Sequence, residues 1–357
     1  MNQIGEIRFK EISRISPSQY CSMKNCSYKS LLAEAFDKKP LLPVSPNAYF
    51  GRVLHKVLEL IAKGDVNNDD SLNMAFNNQV ALMENELKTK GYGFFVPLQK
   101  SVKDFGIKKV LLRKHLINKT TGTLTPASIS YLPEKWLESK DKLIGGQVDL
   151  IIESGSHIEI VDFKTGSITQ DVLDDSGETF ADVKEEYKDQ LKIYAYLYFE
   201  NTSVFPAKLT AMNLAKDKFA VDFSHDECKS IFHDAKQLLS NVNKEISSRA
   251  FTANPTETNC KYCLYRPACA YYLQKLEHCG QFNDAYGLIR NTLEYKNGNV
   301  SLFLESGERR ITIIGLPSNK YGNLHNCIGK KVAVFNLRRE AIDSAFSWTR
   351  TTRFYER

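Results

Sequence analysis

The stretch GGQVDLIIESGSHIEIVDFKTG, residues 145–166, decides the fold. Two strand-like runs flank Gly155-Ser156, and glycine first in a two-residue loop marks a type II′ hairpin turn. With Ser154 facing His157, opposed residue numbers sum to 311, so Asp149 lies opposite Asp162. Opposed residues project from one face with Cβ atoms about 4.5–5.5 Å apart. Lys164, two positions beyond Asp162, shares that face. Two carboxylates and one ammonium therefore converge, a place for a divalent cation with Lys164 set to hold or polarise a water. An isolated D-x-K is more often a solvated strand face with a salt bridge. Here Ile158, Ile160, Val161 and Phe163 make both faces of the strand apolar, a poor setting for charge that has no task.

Outward from this hairpin the period changes. Upstream, Ser45-Pro46 reads as an N-cap followed by proline at the first helical position. Phe50, Val53, Leu54, Val57, Leu58 and Ile61 then form a helical stripe ending at Gly64. Earlier still, ISPSQY predicts a helix start at Ser16 or Ser18. Residues 65–140 read as a largely helical insertion, with a basic stretch from Lys108 to Lys119 open to either strand or helix. Downstream, 184–200 predicts a helix on which Gln190 and Tyr194 share a face at i,i+4. Strands are expected at 209–214 and 219–223, and a helix from about 226 to 249.

Taken in order, G-G-x-V-D, then I-V-D-F-K-T-G, then Q-x-x-x-Y on a helix resembles the PD-(D/E)xK nuclease superfamily. More narrowly it resembles the RecB/AddB-type nucleases, which include CRISPR-associated spacer-processing enzymes. Gly51-Arg52-Val53-Leu54-His55 supplies the upstream G-x-x-x-H of that pattern. The resemblance spans roughly residues 16–275. It implies an α/β core, a mixed central sheet flanked by helices. His55, Asp149, Asp162 and the backbone carbonyl of Phe163 would be ligands of Mg²⁺ or Mn²⁺. Lys164 would orient the attacking water, and Gln190 and Tyr194 would position that lysine or the nucleic-acid backbone. The implied activity is metal-dependent hydrolysis of DNA, on single strands or ends, in repair, recombination or anti-phage defence. Beside it stands a catalytically idle nucleic-acid-binding or assembly subunit that keeps the fold. No G-x-x-x-x-G-K-[ST] occurs, so ATP-driven unwinding would fall to a helicase partner on another chain.

Cys260-x2-Cys263-x5-Cys269 cannot close a four-thiolate site alone, so a fourth ligand must come from elsewhere. The resemblance implies a [4Fe–4S] cluster held by one early and three late cysteines in this spacing. Cys26, following Ser16-Pro17-Ser18, is the expected fourth ligand, with Cys21 its competitor. A structural Zn²⁺ site or plain buried cysteines are the alternatives. Cys228, Cys279 and Cys327 read as core residues.

At 42% hydrophobic and 25% charged, the 357 residues exclude a disordered or fibrous chain. Cores rarely grow beyond roughly 250–300 residues, so more than one domain is expected, a nuclease domain over 1–280 and a β-rich one over 281–357. No run approaches the roughly 18 apolar residues of a membrane span. MNQIGEIRFKEISR lacks the apolar core of a secretory signal, which gives a cytoplasmic expectation. Residues 281–357 carry twelve Lys/Arg against seven Asp/Glu, most of the net +6. Five strand candidates there predict a small barrel of the OB type. Phe346, Trp348 and Arg350 alternate onto one face, with Arg338 and Arg339 nearby, which suits nucleic-acid binding by stacking or, equally, a barrel interior. A β-appendage that docks a partner protein is the competing expectation.

Overall fold

The computed structural model describes residues 1–116, 129–173, 179–341 and 344–357. The end of the basic stretch, 117–119, lies outside them. The chain begins with α1 (Pro17–Asn25), α2 (Ser27–Ala35), α3 (Pro46–Lys63), α4 (Asp69–Thr89), α5 (Leu98–Ser101) and α6 (Phe105–Leu112). Next come β1 (Ile129–Glu138), β2 (Gly145–Ser154), β3 (His157–Lys164), a hairpin of β4 (Thr169–Leu173) and β5 (Thr179–Val183), and α7 (Glu185–Thr202). β6 (Lys208–Asn213) and β7 (Lys218–Val221) precede α8 (His225–Ser248), α9 (Glu257–Lys261) and α10 (Ala270–His278). The remainder holds β8 (Ala285–Glu294), β9 (Asn299–Ser306), β10 (Arg309–Pro317), β11 (Lys331–Phe335), β12 (Arg338–Arg339), β13 (Ala345–Ser347) and β14 (Arg353–Glu356).

One compact unit comprises Ile12–Lys24 and Ser45–Asn241. Its sheet has the order β1-β2-β3-β6-β7. β3 and β6 run parallel because the chain between them returns through α7; the other neighbours are antiparallel. The mixed sheet expected of the core is present, with α3 and α7 packed against it. α3 forms where capping chemistry and periodicity agree. The Ser45 side chain accepts the N–H of Asn47, Pro46 opens the helix, and Gly64 ends it at φ 83°. Its stripe Phe50, Val53, Leu54, Val57, Leu58 and Ile61 is at most 3% exposed, each such side chain contributing about 1.5–3 kcal/mol over solvent exposure. The segment 65–140, read as largely helical, ends differently: Ile129–Glu138 is the edge strand β1, paired with β2 throughout. Pro133 sits there without cost because an edge strand has N–H positions with no ladder bond to make.

The other unit comprises Met1–Glu11, Asn25–Val44 and Val242–Arg357. Residues 281–357 do not stand apart in it. Ala333, Phe335 and Tyr355 share one core with Tyr28, Leu32, Cys260 and Tyr272. Among the described residues its sheet has seven strands in the order β12-β13-β10-β9-β8-β11-β14, whose two ends do not pair with each other. In place of the small five-stranded barrel of the OB type that was expected, these residues form a seven-stranded half-barrel. The strands expected over 331–338 and 344–355 are each interrupted, the first where Asn336 takes φ 60° and the second at the turn closed by the Thr352 N–H donating to the Thr349 carbonyl.

In the first unit, Gly146 is fixed by close approach. A Cβ there would lie 2.8 Å from the Tyr194 hydroxyl and 3.0 Å from Cδ of Pro17. Gly146→Ala should destabilise the protein by about 1–3 kcal/mol, the ordinary cost of overpacking. Combined with Tyr194→Phe the two costs should be less than additive in denaturant titrations, because the larger clash is with that hydroxyl.

Candidate functional site

The hairpin register is the one read from the sequence: Ser154 faces His157, Ile151 faces Ile160 and Leu150 faces Val161. Gly155 takes φ 59° at the turn. Past Leu150 and Val161 the ladder gives out, while β3 continues alongside β6 as far as Lys164 and Asn213. β2 therefore parts from β3 at Asp149. The N–H of Phe163 is taken by the Asp149 carboxylate, donating to Oδ2 at 2.7 Å. A fork results, with Asp149 on one strand and Asp162 and Lys164 on the other.

Asp162 is 5% exposed, between apolar neighbours. Its Oδ1 accepts from Gln190 Nε2 at 3.0 Å. Its buried Oδ2 pairs with the Lys164 ammonium at 2.7 Å, and among the described residues it has no further partner. Burial, opposed by the Lys164 charge and reinforced by the Asp149 carboxylate, pushes the Asp162 carboxyl up to about 6. Lys164 Nζ donates to Gln190 Oε1 at 3.0 Å, so the one amide clamps both charged groups. His55, on α3, places Nδ1 3.4 Å from Asp149 Oδ1. Burial presses its pKa down, but the hydrogen bond and charge of Asp149 outweigh it and the net direction is up. Gly51, one turn earlier, would bring a Cβ to 3.4 Å from Thr165 Oγ1, just past Lys164. The resemblance thus pointed to residues that converge: His55, Asp149, Asp162, Lys164 and Gln190. Tyr194 differs. Its hydroxyl donates to the carbonyl of Gln147 at 2.8 Å, bracing β2, and meets the Gln190 side chain rather than the lysine itself.

Two residues here escaped the sequence reading. The ring of Tyr187 lies under Lys164 Nζ, 4.2 Å from ammonium to centroid. Positions 187, 190 and 194 share one helical face, a spacing that was there to be read. Glu134, at φ 54°, stands opposite Asp149 across β1 and β2, between the pairs Pro133–Leu150 and Lys135–Val148. Burial, with Asp149 and Glu59 adding, raises its pKa. The residues around it carry no strand pattern, so the sequence alone does not mark it.

Among the described residues, no group of three or more His, Cys, Asp or Glu side chains is gathered as a ready metal cage. The donor chemistry at the fork nonetheless fits a hard cation. Carboxylate oxygens are its preferred ligands, and the buried Oδ2 of Asp162 has, among the described residues, only the Lys164 ammonium beside it. Elsewhere, Cys26, Cys260, Cys263 and Cys269 line one cavity with Arg266. Burial pushes the thiols of Cys260 and Cys269 up to about 12, so alone they stay neutral, and metal binding would have to draw out the thiolates. Cys21 is not among the lining residues; its thiol donates to the carbonyl of Glu186 at 3.2 Å in the other unit. Of the C-terminal candidates, Phe346 is 1% exposed in the sheet core, and Trp348 packs against that core with its Nε1 buried. The expected stacking face is therefore an interior one. Arg338 donates to Ser347 Oγ at 3.0 Å, Arg339 donates to the carbonyls of Gly280 and Phe282, and Arg350 is exposed.

A family model described as the PD-(D/E)XK nuclease superfamily matches residues 14–270. No curated protein matches the chain. Among solved structures, a protein named "putative exonuclease" from Eubacterium rectale aligns at 8% identity and TM-score 0.43, over 68% of this chain and 84% of its own. A murine DNA binding protein bound with double-stranded DNA aligns at 8% identity and TM-score 0.19, over 65% of this chain and 98% of its own.

The coupling of His55 to Asp149 has a direct test. In metal-free protein the His55 imidazole should titrate above the ordinary histidine range by NMR. In Asp149→Asn the same resonance should fall, because burial then loses its main opponent. An unmoved titration would show that the two side chains do not interact.

Proposed function

The chain belongs to the PD-(D/E)XK nuclease superfamily, and we propose that it is a Mg²⁺- or Mn²⁺-dependent deoxyribonuclease acting on single-stranded DNA or DNA ends. The observation that carries this reading is the fork itself, where the buried Asp162 carboxylate, paired with the Lys164 ammonium at 2.7 Å, stands beside Asp149. His55, Asp149, Asp162 and the Phe163 carbonyl would hold the cation. When bound, it lowers the pKa of water and offsets charge on the phosphoryl group being cleaved. The chain's own groups do the rest. Gln190 fixes Lys164 and Asp162 relative to each other, so the ammonium is held ready to orient a water or a phosphate oxygen. Tyr194 holds β2 at the mouth of the fork through the Gln147 carbonyl. No side chain is required as a covalent nucleophile.

We further propose that Cys26, Cys260, Cys263 and Cys269 bind a [4Fe–4S] cluster. Their common cavity supports this set over one containing Cys21. A cluster protein of this kind belongs in a reducing compartment, hence the cytoplasm. Work in DNA repair, recombination or anti-phage defence, beside a helicase on another chain, is the setting that suits such an enzyme. Any contribution of the C-terminal unit to DNA binding would come from exposed cations such as Arg350 rather than from stacking on Trp348.

Asp162→Ala should abolish Mn²⁺-dependent cleavage of labelled single-stranded DNA while circular dichroism stays native. In the wild type, Mn²⁺ at a hundred times its dissociation constant should stabilise the protein by about 2.7 kcal/mol, and the variant should lose that gain. Undiminished cleavage by the variant would sink the assignment.

Anaerobically purified wild type should be brown and carry about four irons per chain. Cys26→Ser should lose colour and iron while Cys21→Ser keeps both. Stoichiometric zinc in a colourless protein would overturn the iron assignment.

A further inference from the structure

We propose that Tyr187 is a positioning residue for Lys164, its ring face fixing the ammonium that the nuclease reading above assigns to water and phosphate. Lys164 is held from three sides. Asp162 Oδ2 pairs with it at 2.7 Å, Gln190 Oε1 accepts at 3.0 Å, and the Tyr187 centroid lies at 4.2 Å. The carboxylate holds the ammonium from one side, and the amide and the ring hold it from the other two. Tyr187 sits in the first turn of α7, and Gln190 follows three residues later on the same face. The helix therefore delivers both contacts as one rigid element.

The choice of a ring has a chemical reason. A second carboxylate beside Lys164 would bind one of its N–H groups tightly and add negative charge near the site of attack. An aromatic face attracts the cation through its quadrupole and accepts no strong hydrogen bond. It holds the charge in place while leaving N–H donors for water or a phosphate oxygen. The lysine side chain is 16% exposed, a setting in which cation–π attraction is stronger than at an open surface. The Tyr187 side chain is half-buried. Its contact with the ammonium is the specific one.

The test replaces Tyr187 in the full chain with phenylalanine and then with mono-, di- and trifluorophenylalanine, which weaken the ring quadrupole at nearly constant size. Two quantities are measured: kcat and KM on labelled single-stranded DNA with Mn²⁺, and the rate of Lys164 reductive methylation by mass spectrometry. Tyr187→Phe should keep kcat within about twofold, and kcat should then fall stepwise to a loss of roughly tenfold, with KM steady. Lys164 methylation should quicken in the same order, with melting temperatures unchanged. Flat kcat and flat methylation across the series would overturn the proposal, as would a rise in KM at constant kcat, which would make the ring a substrate contact. If the wild type cleaves nothing, methylation alone decides. A graded rise then sustains the positioning role and sinks the nuclease reading, whereas a flat series overturns the positioning role as well.

Discussion

The Asp149 carboxylate accepts the N–H of Phe163 at 2.7 Å, at the point where β2 stops pairing with β3. Buried backbone donors must find partners. A strand that leaves its neighbour would strand that N–H, and a side chain one position past the last pair makes the departure affordable. Because Asp149 does this with one oxygen, its other oxygen is left to meet His55 at 3.4 Å. The opening between the strands thus comes with one acid already turned into it. Asp162 and Lys164 stay on β3, which keeps its pairing to β6 up to Lys164 itself. The fork is rigid on one side and released on the other, a sound basis for holding charged groups at fixed separation.

Holding them there costs stability. Asp162 sits in a strand whose Ile160 and Val161 are fully buried, so its carboxylate is desolvated along with the Lys164 ammonium it pairs with. Desolvation of a buried ion pair often exceeds its Coulombic return. By contrast, the exposed pairs of Glu86 with Arg52 and Lys90 follow ordinary surface geometry and are each worth about 0–1 kcal/mol. A fold optimised for stability alone would keep the second kind and replace the first with aliphatic side chains. The retention of a buried Asp–Lys pair, clamped by Gln190 on two sides, is what separates a site from a well-packed strand.

The legible part of the molecule was the part where local chemistry leaves one answer. A two-residue glycine turn has one register, and the register places Asp149 beside Asp162. Ser45-Pro46 and Gly64 bound α3 because capping needs no tertiary help. Other elements depend on partners distant in sequence. β1 carries Pro133 and a left-handed Glu134, so its local pattern is not that of a strand; pairing with β2 makes it one. Glu134 was lost with it. Tyr187 was overlooked for a different reason, since an aromatic residue three positions before a glutamine reads as packing until a lysine is known to lie beneath it. In the C-terminal region, the alternation of Phe346, Trp348 and Arg350 was real, but alternation alone does not say which face is inside. The core of Ile313, Leu302 and Phe354 claims Phe346.

The cysteine region gains meaning from the same kind of accounting. Arg266, between Cys263 and Cys269 in sequence, is buried and pairs with Asp284 through Nε at 2.6 Å. It also donates to the Cys263 carbonyl at 2.8 Å and to Asn336 Oδ1 at 2.6 Å. Tyr272 donates to the same carboxylate at 2.7 Å, and the N–H of Asn336 does so too. One buried carboxylate thus ties the cysteine loop, α10 and the end of β11 together. A fully satisfied network of this kind fixes one arrangement, because any slip leaves a charge buried and unpaired, a cost of several kcal/mol. The cysteine loop is therefore shaped by protein contacts before any metal is considered. A cluster bound there would reinforce a geometry that the half-barrel already imposes, and residues 281–357 would act first as the scaffold of that loop.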